Sequence, residues 1–236
     1  MKIVGLLCWY EEDPAWLAEC VASAARLCDH LIAVDGPYAM FPGALRKPCS
    51  GSDQVEAITR TAYGAGMGVT VHTRREPWWG GEVEKRDFMF QLGATMTTRD
   101  DWFLRIDADE VLTQVPPDSR GILADTDLDV AETVLWERDP AGDGEHPFRC
   151  LFRALPELHI EQAHYIVTAL DGGRRKVLRG NTDIHVEEPA FPLWDVRLEH
   201  RTRQRPADRQ RLKQQYGAVI PQIEPVSPFE ENHGDS

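Results

Sequence analysis

"DWFLRIDADEVL", residues 101–112, is the stretch whose reading decides the fold. Four of the six residues 102–107 are large and apolar, and acid then follows at Asp107, Asp109 and Glu110. Two explanations compete. Either a buried strand has ended and the chain has reached water, or the carboxylates hold a divalent cation at the mouth of a sheet. Asp-Ala-Asp puts two carboxylates on the same side of an extended backbone. Hard cations such as Mg²⁺ and Mn²⁺ favour oxygen ligands of this kind. A lone D-x-D is a weak signal, so the surrounding pattern has to choose.

Working outward, strand and helix signals alternate. "KIVGLLCW" is a continuous apolar run, expected of a strand buried on both faces. Asp13 then Pro14 reads as an N-cap with proline at the first helical position. Leu17, Val21, Ala24 and Cys28 continue at helical spacing. "HLIAVDG" predicts a second strand, Ser52 is placed to cap a second helix, and the glycines at 64, 66 and 68 stop it. "GVTVHT" predicts a third strand. "GGEVEKRDFMFQLGATM" predicts a glycine-opened helix leading into the fourth strand, "DWFLRID". This alternation implies βαβ units and a parallel sheet with right-handed crossovers.

Beyond residue 112 the pattern loosens. "DVAETVLWER", "FRCLFRAL", "HYIVTAL" and "RKVLRG" read as strands, the last two joined by a hairpin at "DGG". A polar helix is expected from about Ala207 to Tyr216, and the tail 226–236 has almost nothing to bury. The expected organisation is one α/β domain, with residues 1–112 as its first half and 113–225 as its second.

At 236 residues with 42% hydrophobic and 28% charged, the chain has the composition of a globular domain with a sizeable core. A net charge of −13 argues against non-specific nucleic-acid binding. The five cysteines are odd in number and lack a C-x-x-C pair, which suits a reducing interior and argues against a structural zinc site. No apolar run reaches membrane-spanning length, so no transmembrane segment is expected and the expected location is the cytoplasm.

In open parallel sheets, ligands bind outside the carboxyl ends of the strands. Three of the four predicted strands end in suitable groups: Trp9 to Glu12, Asp35, and Asp107 to Glu110. The order strand, "WYEEDPAWLAEC" helix, "LIAVDG", helix, strand, "GGEVEKRDFMFQLGA" helix and "DWFLRIDADEVL" resembles the GT-A nucleotide-sugar glycosyltransferases, particularly the family 2 type. The resemblance covers roughly residues 1–112; the first loop reads "CWYEE" where that family commonly has Asn-Glu.

The resemblance implies a Rossmann-like open sheet, mixed but mainly parallel and flanked by helices. It also implies metal-dependent, inverting transfer of a sugar from a nucleotide-diphosphate donor, with Mn²⁺ or Mg²⁺ as cofactor. Asp109 is then the principal metal ligand, Asp107 contacts ribose or metal, Glu110 supports them, and His200 completes the metal shell. Tyr10, Glu11 and Glu12 line the nucleoside pocket, and Asp35 reads the nucleobase. Lys85 and Arg86 neutralise phosphate. The resemblance also points to a catalytic base in "LFRALPELHIEQAHY": Glu161 first and His164 second, with Asp183, Glu187 and Glu188 behind them.

Bland readings stand beside these. Asp35-Gly36 is also simply a good turn. His200 can be structural, and Arg201, Arg203 and Arg205 form either a diphosphate-facing group or a solvated helix approach. Trp78, Trp79 and Trp194 are sugar-stacking platforms or core residues. His159 and His164 do not have zinc spacing. The acceptor is a protein, a glycan or a small molecule. Two other functions remain open: a nucleotidyltransferase, which typically has a Gly-rich first loop that "CWYEEDP" lacks, and a non-catalytic nucleotide-sugar-binding module.

Overall fold

The computed structural model describes residues 1–137, 144–161, 166–180, 185–205 and 207–219. The expected alternation is present through the fourth strand. β1 (Ile3–Cys8), β2 (His30–Val34), β3 (Gly68–His72) and β4 (Trp102–Asp107) pair in parallel, with β1 between β2 and β4. All six residues of β1 are buried, as the unbroken apolar run requires. The helices α1 (Pro14–Ala24), α2 (Ser52–Gly64) and α3 (Gly81–Ala94) connect these strands.

Asp13 caps α1 as expected, its Oδ1 accepting from the Ala15 N–H at 2.7 Å and the Trp16 N–H at 3.3 Å. At α2 the expectation fails by one position. Gly51 is the N-cap without a side-chain bond, and Ser52 is the first helical residue.

The second half builds onto the same sheet. It contributes β5 (Glu110–Gln114), α4 (Ser119–Asp125), β6 (Val130–Glu137), β7 (Gly144–Arg153) and β11 (Phe191–His200), the last separated from β7 by a second, small sheet. The large sheet runs β3-β2-β1-β4-β7-β6-β11-β5 and is mixed: β7 lies antiparallel to β4 and β6, and β11 parallel to β6. The small sheet comprises β8 (His159–Glu161), β9 (Ile166–Asp171) and β10 (Arg174–Arg179). Gly172 and Gly173 turn the β9–β10 hairpin, both with positive φ as a tight mirror-image turn requires. A short 3-10 helix (Thr202–Gln204) and α5 (Ala207–Val219) end the described chain.

The order of strands has a geometric consequence. β5 follows β4 after only Ala108 and Asp109, a link that spans about 10 Å at most. In a flat sheet the two strands would lie four spacings apart, roughly 19 Å. The sheet therefore curls, bringing its far edge back to the end of β4. Residues 107–110 sit where it closes.

Two hydrophobic clusters cover the sheet. One packs α1 and α2 through Leu17, Val21 and Ile58; the other packs α3 through Met89 and Phe90 against Phe103 and Phe152. The chain is thus an α/β protein with a large mixed sheet flanked by helices, compatible with a Rossmann-like arrangement. No helix among the described residues is long and apolar enough to cross a membrane.

Candidate functional site at the closure of the sheet

The acidic cluster of the opening stretch is not at water. Asp109 is 4% exposed and Glu110 3%. Strand register explains what gathers around them. Within the large sheet, His200 on β11 faces Glu110 on β5 on one side and Glu137 on β6 on the other. That row places the His200 Nδ1 against Glu137 Oε1. Nε2 is left facing Asp109 Oδ2 at 3.3 Å and Thr202 Oγ1 at 2.8 Å. Thr202 also donates to Asp109 Oδ2, and the Arg201 N–H donates to the Asp109 carbonyl at 2.7 Å.

Burial opposes the charging of His200, but the hydrogen bonds of Asp109 and Glu137 and the charges of Asp109 and Glu110 outweigh it and push its pKa up to about 9. Glu110 is raised by burial and by the charge of Asp107, while its Oε2 accepts the Asp107 N–H at 2.9 Å.

Asp107 turns the other way. Its Oδ1 lies 2.8 Å from Arg86 Nη1, a charge contact that is not an aligned hydrogen bond, and its Oδ2 lies 3.4 Å from Arg105 Nη1. The expected set of Asp107, Asp109 and His200 is therefore not assembled. Asp109 and His200 meet; Asp107 is held by guanidinium groups. Among the described residues no three His, Cys, Asp or Glu side chains are grouped to hold a metal ion. The pair itself fits one. A carboxylate oxygen and an imidazole nitrogen converge, and the other ring nitrogen is fixed by a carboxylate, the usual outer support of a metal-binding histidine.

These groups line a cleft of about 700 Å³. Its wall at the ends of β1 and β2 includes Tyr10, Glu12, Tyr38 and Phe41. The Tyr10 hydroxyl donates to the Lys47 carbonyl at 2.7 Å, and its ring meets Phe41 edge-on. Burial, then the charge of Glu11, pushes that hydroxyl up to about 12. Glu12 is buried and accepts from Arg205 at 2.7 Å and Arg209 at 2.9 Å. Burial raises its pKa against the pull of both guanidiniums. Tyr216 of α5 stacks over Tyr38 and Phe41 from the opposite side.

Several expected site residues are placed elsewhere. Asp35 is fully buried, accepts the Ser50 N–H at 2.7 Å and the Ser50 hydroxyl at 2.6 Å, and does not line the cleft. It anchors the 37–51 loop, which is the turn reading. Lys85 lines the cleft, but its ammonium donates to the carbonyls of Trp9 at 2.6 Å and Gly36 at 2.7 Å, tying together the ends of β1 and β2. Arg201 pairs with Glu19 at 2.7 Å and Glu199 at 2.8 Å, away from the cleft. The neighbouring Arg205 and Arg209 reach the cleft instead.

Glu161 does not line the cleft either. It sits in the small sheet, bonded to Arg175 and to Thr168 Oγ1 at 2.9 Å, and the Arg175 bond lowers its pKa away from the range useful to a base. His164 and Asp183 lie outside the described residues, as does the expected tail. Glu187 does line the cleft, with Glu132 on the other side of Arg149, at 3.3 Å and 3.0 Å from it. Glu188 pairs with Arg174. Trp78 is core, while Trp79 and Trp194 are exposed but do not line the cleft.

No protein-family model matches the chain, and no curated protein matches it. The reading of the site rests on its own geometry. That geometry includes residues the sequence reading passed over: Arg105, Arg149 and Arg179 all line the cleft. Arg105 carried a signal, since it interrupts an otherwise apolar buried strand two residues before Asp107, on the same face. Arg149 and Arg179 carried none, because each stands in a strand with other arginines, Arg153 in β7 and Arg174 and Arg175 in β10.

Proposed function

We propose that the protein is a metal-dependent glycosyltransferase that moves a sugar from a nucleotide-diphosphate donor to an acceptor hydroxyl. The observation that carries this is the convergence of Asp109 and His200, backed by Glu137, at the carboxyl end of a parallel strand and on the wall of the 700 Å³ cleft. Mn²⁺ or Mg²⁺ would be held by Asp109 and His200, and supplies positive charge against the leaving diphosphate. Asp107, oriented by Arg86 and Arg105, is positioned for the ribose. Tyr10, Phe41, Tyr38 and Tyr216 offer aromatic surface for the base, with Arg205 and Arg209 alongside for phosphate oxygens.

The proton of the acceptor hydroxyl goes to a carboxylate of the second half. Glu187 and Glu132, which face the cleft, take the place the sequence reading gave to Glu161. In a single displacement, that carboxylate accepts the proton as the acceptor oxygen attacks the sugar carbon and the nucleoside diphosphate leaves.

The test is titration calorimetry with UDP-, GDP- and TDP-sugars with and without Mn²⁺, followed by donor-hydrolysis and transfer assays. Wild type is expected to bind one donor only with metal. Asp109→Asn is expected to weaken metal binding about 10–100-fold and to lose turnover with it. Turnover and metal dependence left intact in Asp109→Asn would overturn the proposal. The position of Glu161 outside the cleft favours a second reading, a nucleotide-sugar-binding module without turnover. Metal-dependent donor binding with no hydrolysis or transfer would select it.

A further inference from the structure

Two arginines that line the cleft, Arg105 and Arg179, keep guanidinium N–H groups that the proposed metal and nucleotide contacts do not use, although Arg105 also reaches Asp107 through Nη1. Arg105 and Arg179 approach the Phe148 ring, their guanidinium carbons 5.2 Å and 4.9 Å from its centroid. The Arg105 side chain is 4% exposed. Its Nε and the Nη1 of Arg179 are buried and donate to no acceptor among the described residues. A buried guanidinium N–H without an acceptor is costly, and two of them on guanidinium groups beside the same ring mark a place suited to a negatively charged partner. Burial and the neighbouring Arg105 push the pKa of Arg179 down to about 10, against the opposing charge of Glu110, which acts on both guanidinium groups.

The backbone of this pair is set back from the rim of the parallel strands, although Arg105 Nη1 reaches Asp107 Oδ2 at 3.4 Å. Register aligns Cys8 of β1, Val34 of β2 and Asp107 of β4 at the rim where the parallel strands end. Arg105 lies two residues inside that rim, roughly 7 Å deeper along the strand. Arg179 comes from the small sheet, on no parallel strand of the nucleotide half.

We infer that Arg105 and Arg179 form a second anion site, which grips a carboxylate or phosphate carried by the transferred sugar or by the acceptor. The anion site stands on its own geometry; assigning it to donor or acceptor rests on the sugar-transfer reading.

The experiment uses full-length protein in EDTA, so that metal-held phosphate makes no contribution. Glucuronate, inorganic phosphate and neutral glucose are titrated into wild type, Arg179→Gln and a surface control, Arg174→Gln. Circular dichroism melts verify that each variant is folded. Arg179 is the less buried partner, so its replacement spares the core; Arg105→Lys, which keeps the charge and loses the fork, is the second variant. Wild type and the control are expected to bind glucuronate or phosphate and not glucose. Arg179→Gln should weaken that binding about tenfold, the loss of one charge-assisted pair.

Equal binding of glucose and glucuronate, or an equal loss in Arg174→Gln, would overturn the site. So would anion binding unchanged in both Arg179→Gln and Arg105→Lys. Nucleotide-linked glucose and nucleotide-linked glucuronate with Mn²⁺ form the second arm. A loss in Arg179→Gln confined to the glucuronate donor puts the anion on the transferred sugar; equal affinity for both donors, with free-anion binding weakened, puts it on the acceptor. Anion binding that persists while no nucleotide sugar binds would sink the transfer reading and leave the anion site standing.

Discussion

Glu137 illustrates how much a single residue off the reacting atoms can govern. It touches no proposed substrate atom, yet it holds the ring of His200 so that Nε2 faces Asp109. Glu137→Gln should therefore weaken Mn²⁺ binding about 10–100-fold while leaving the melting temperature of the metal-free protein close to wild type. Calorimetric titration of Mn²⁺ against both proteins checks this. Asp101 works just before the start of β4, at the opposite end of that strand from Asp107. Its carboxylate accepts the Lys2 N–H at 2.5 Å and the Thr98 N–H at 2.8 Å. Burial raises its pKa, but those bonds outweigh it and the group ends below its ordinary value. The unfolded chain thus takes up the proton first. The stability Asp101 contributes is complete above about pH 4 and is lost as the pH falls through the lower folded value. Asp101→Asn should cost about 1–3 kcal/mol at pH 7, and urea titrations should show the gap to wild type closing as the pH approaches 3. At this scale the sequence was partly legible. Asp109 stood out by its place at a strand end, while its pairing with His200 came only from the family resemblance; the two side chains do meet. Asp35 and Glu161 could not be placed, because a carboxylate looks the same in sequence whether Ser50, Arg175 or a ligand satisfies it.

Elements were read well where periodicity is long and badly where it is short. β1 to β4 and α1 to α3 announce themselves through continuous apolar runs, a proline after an N-cap, and glycine stops. β5, β8 and α4 were missed: they are five, three and seven residues long, too short for a period to emerge. The fit between elements was hidden as well. A Cβ at Gly93 of α3 would stand 2.3 Å from the Phe103 ring of β4, so the helix approaches the strand as closely as it does only because that position is bare. Gly93 lies in the last turn of α3 but does not have the positive φ of a turn glycine, and its reason lies in a strand ten residues away. Gly93→Ala is expected to destabilise by about 1–3 kcal/mol through overpacking, despite the better helix propensity of alanine. Urea unfolding would measure it; a variant as stable as wild type would mean that α3 can shift without loss.

At the scale of the whole molecule, the sequence pointed to an α/β sheet with its parallel half in order. It did not show the curl, which is a property of pairings between distant segments: β5 at residues 110–114 finds its ladder partner only in β11, beginning at residue 191. A chain ended at Ala190 should keep the β3-β2-β1-β4 half, since every pairing there lies within the first 107 residues. It should lose Mn²⁺ binding altogether, as read by calorimetry, because His200 is gone and β5 has no neighbour. The same dependence sets a timetable on the ribosome. Asp109 emerges some ninety residues before His200 and Thr202, so the corner where the sheet closes cannot assemble until that later stretch has been made. Until then a newly made chain carries Asp109 without the imidazole that faces it in the folded protein.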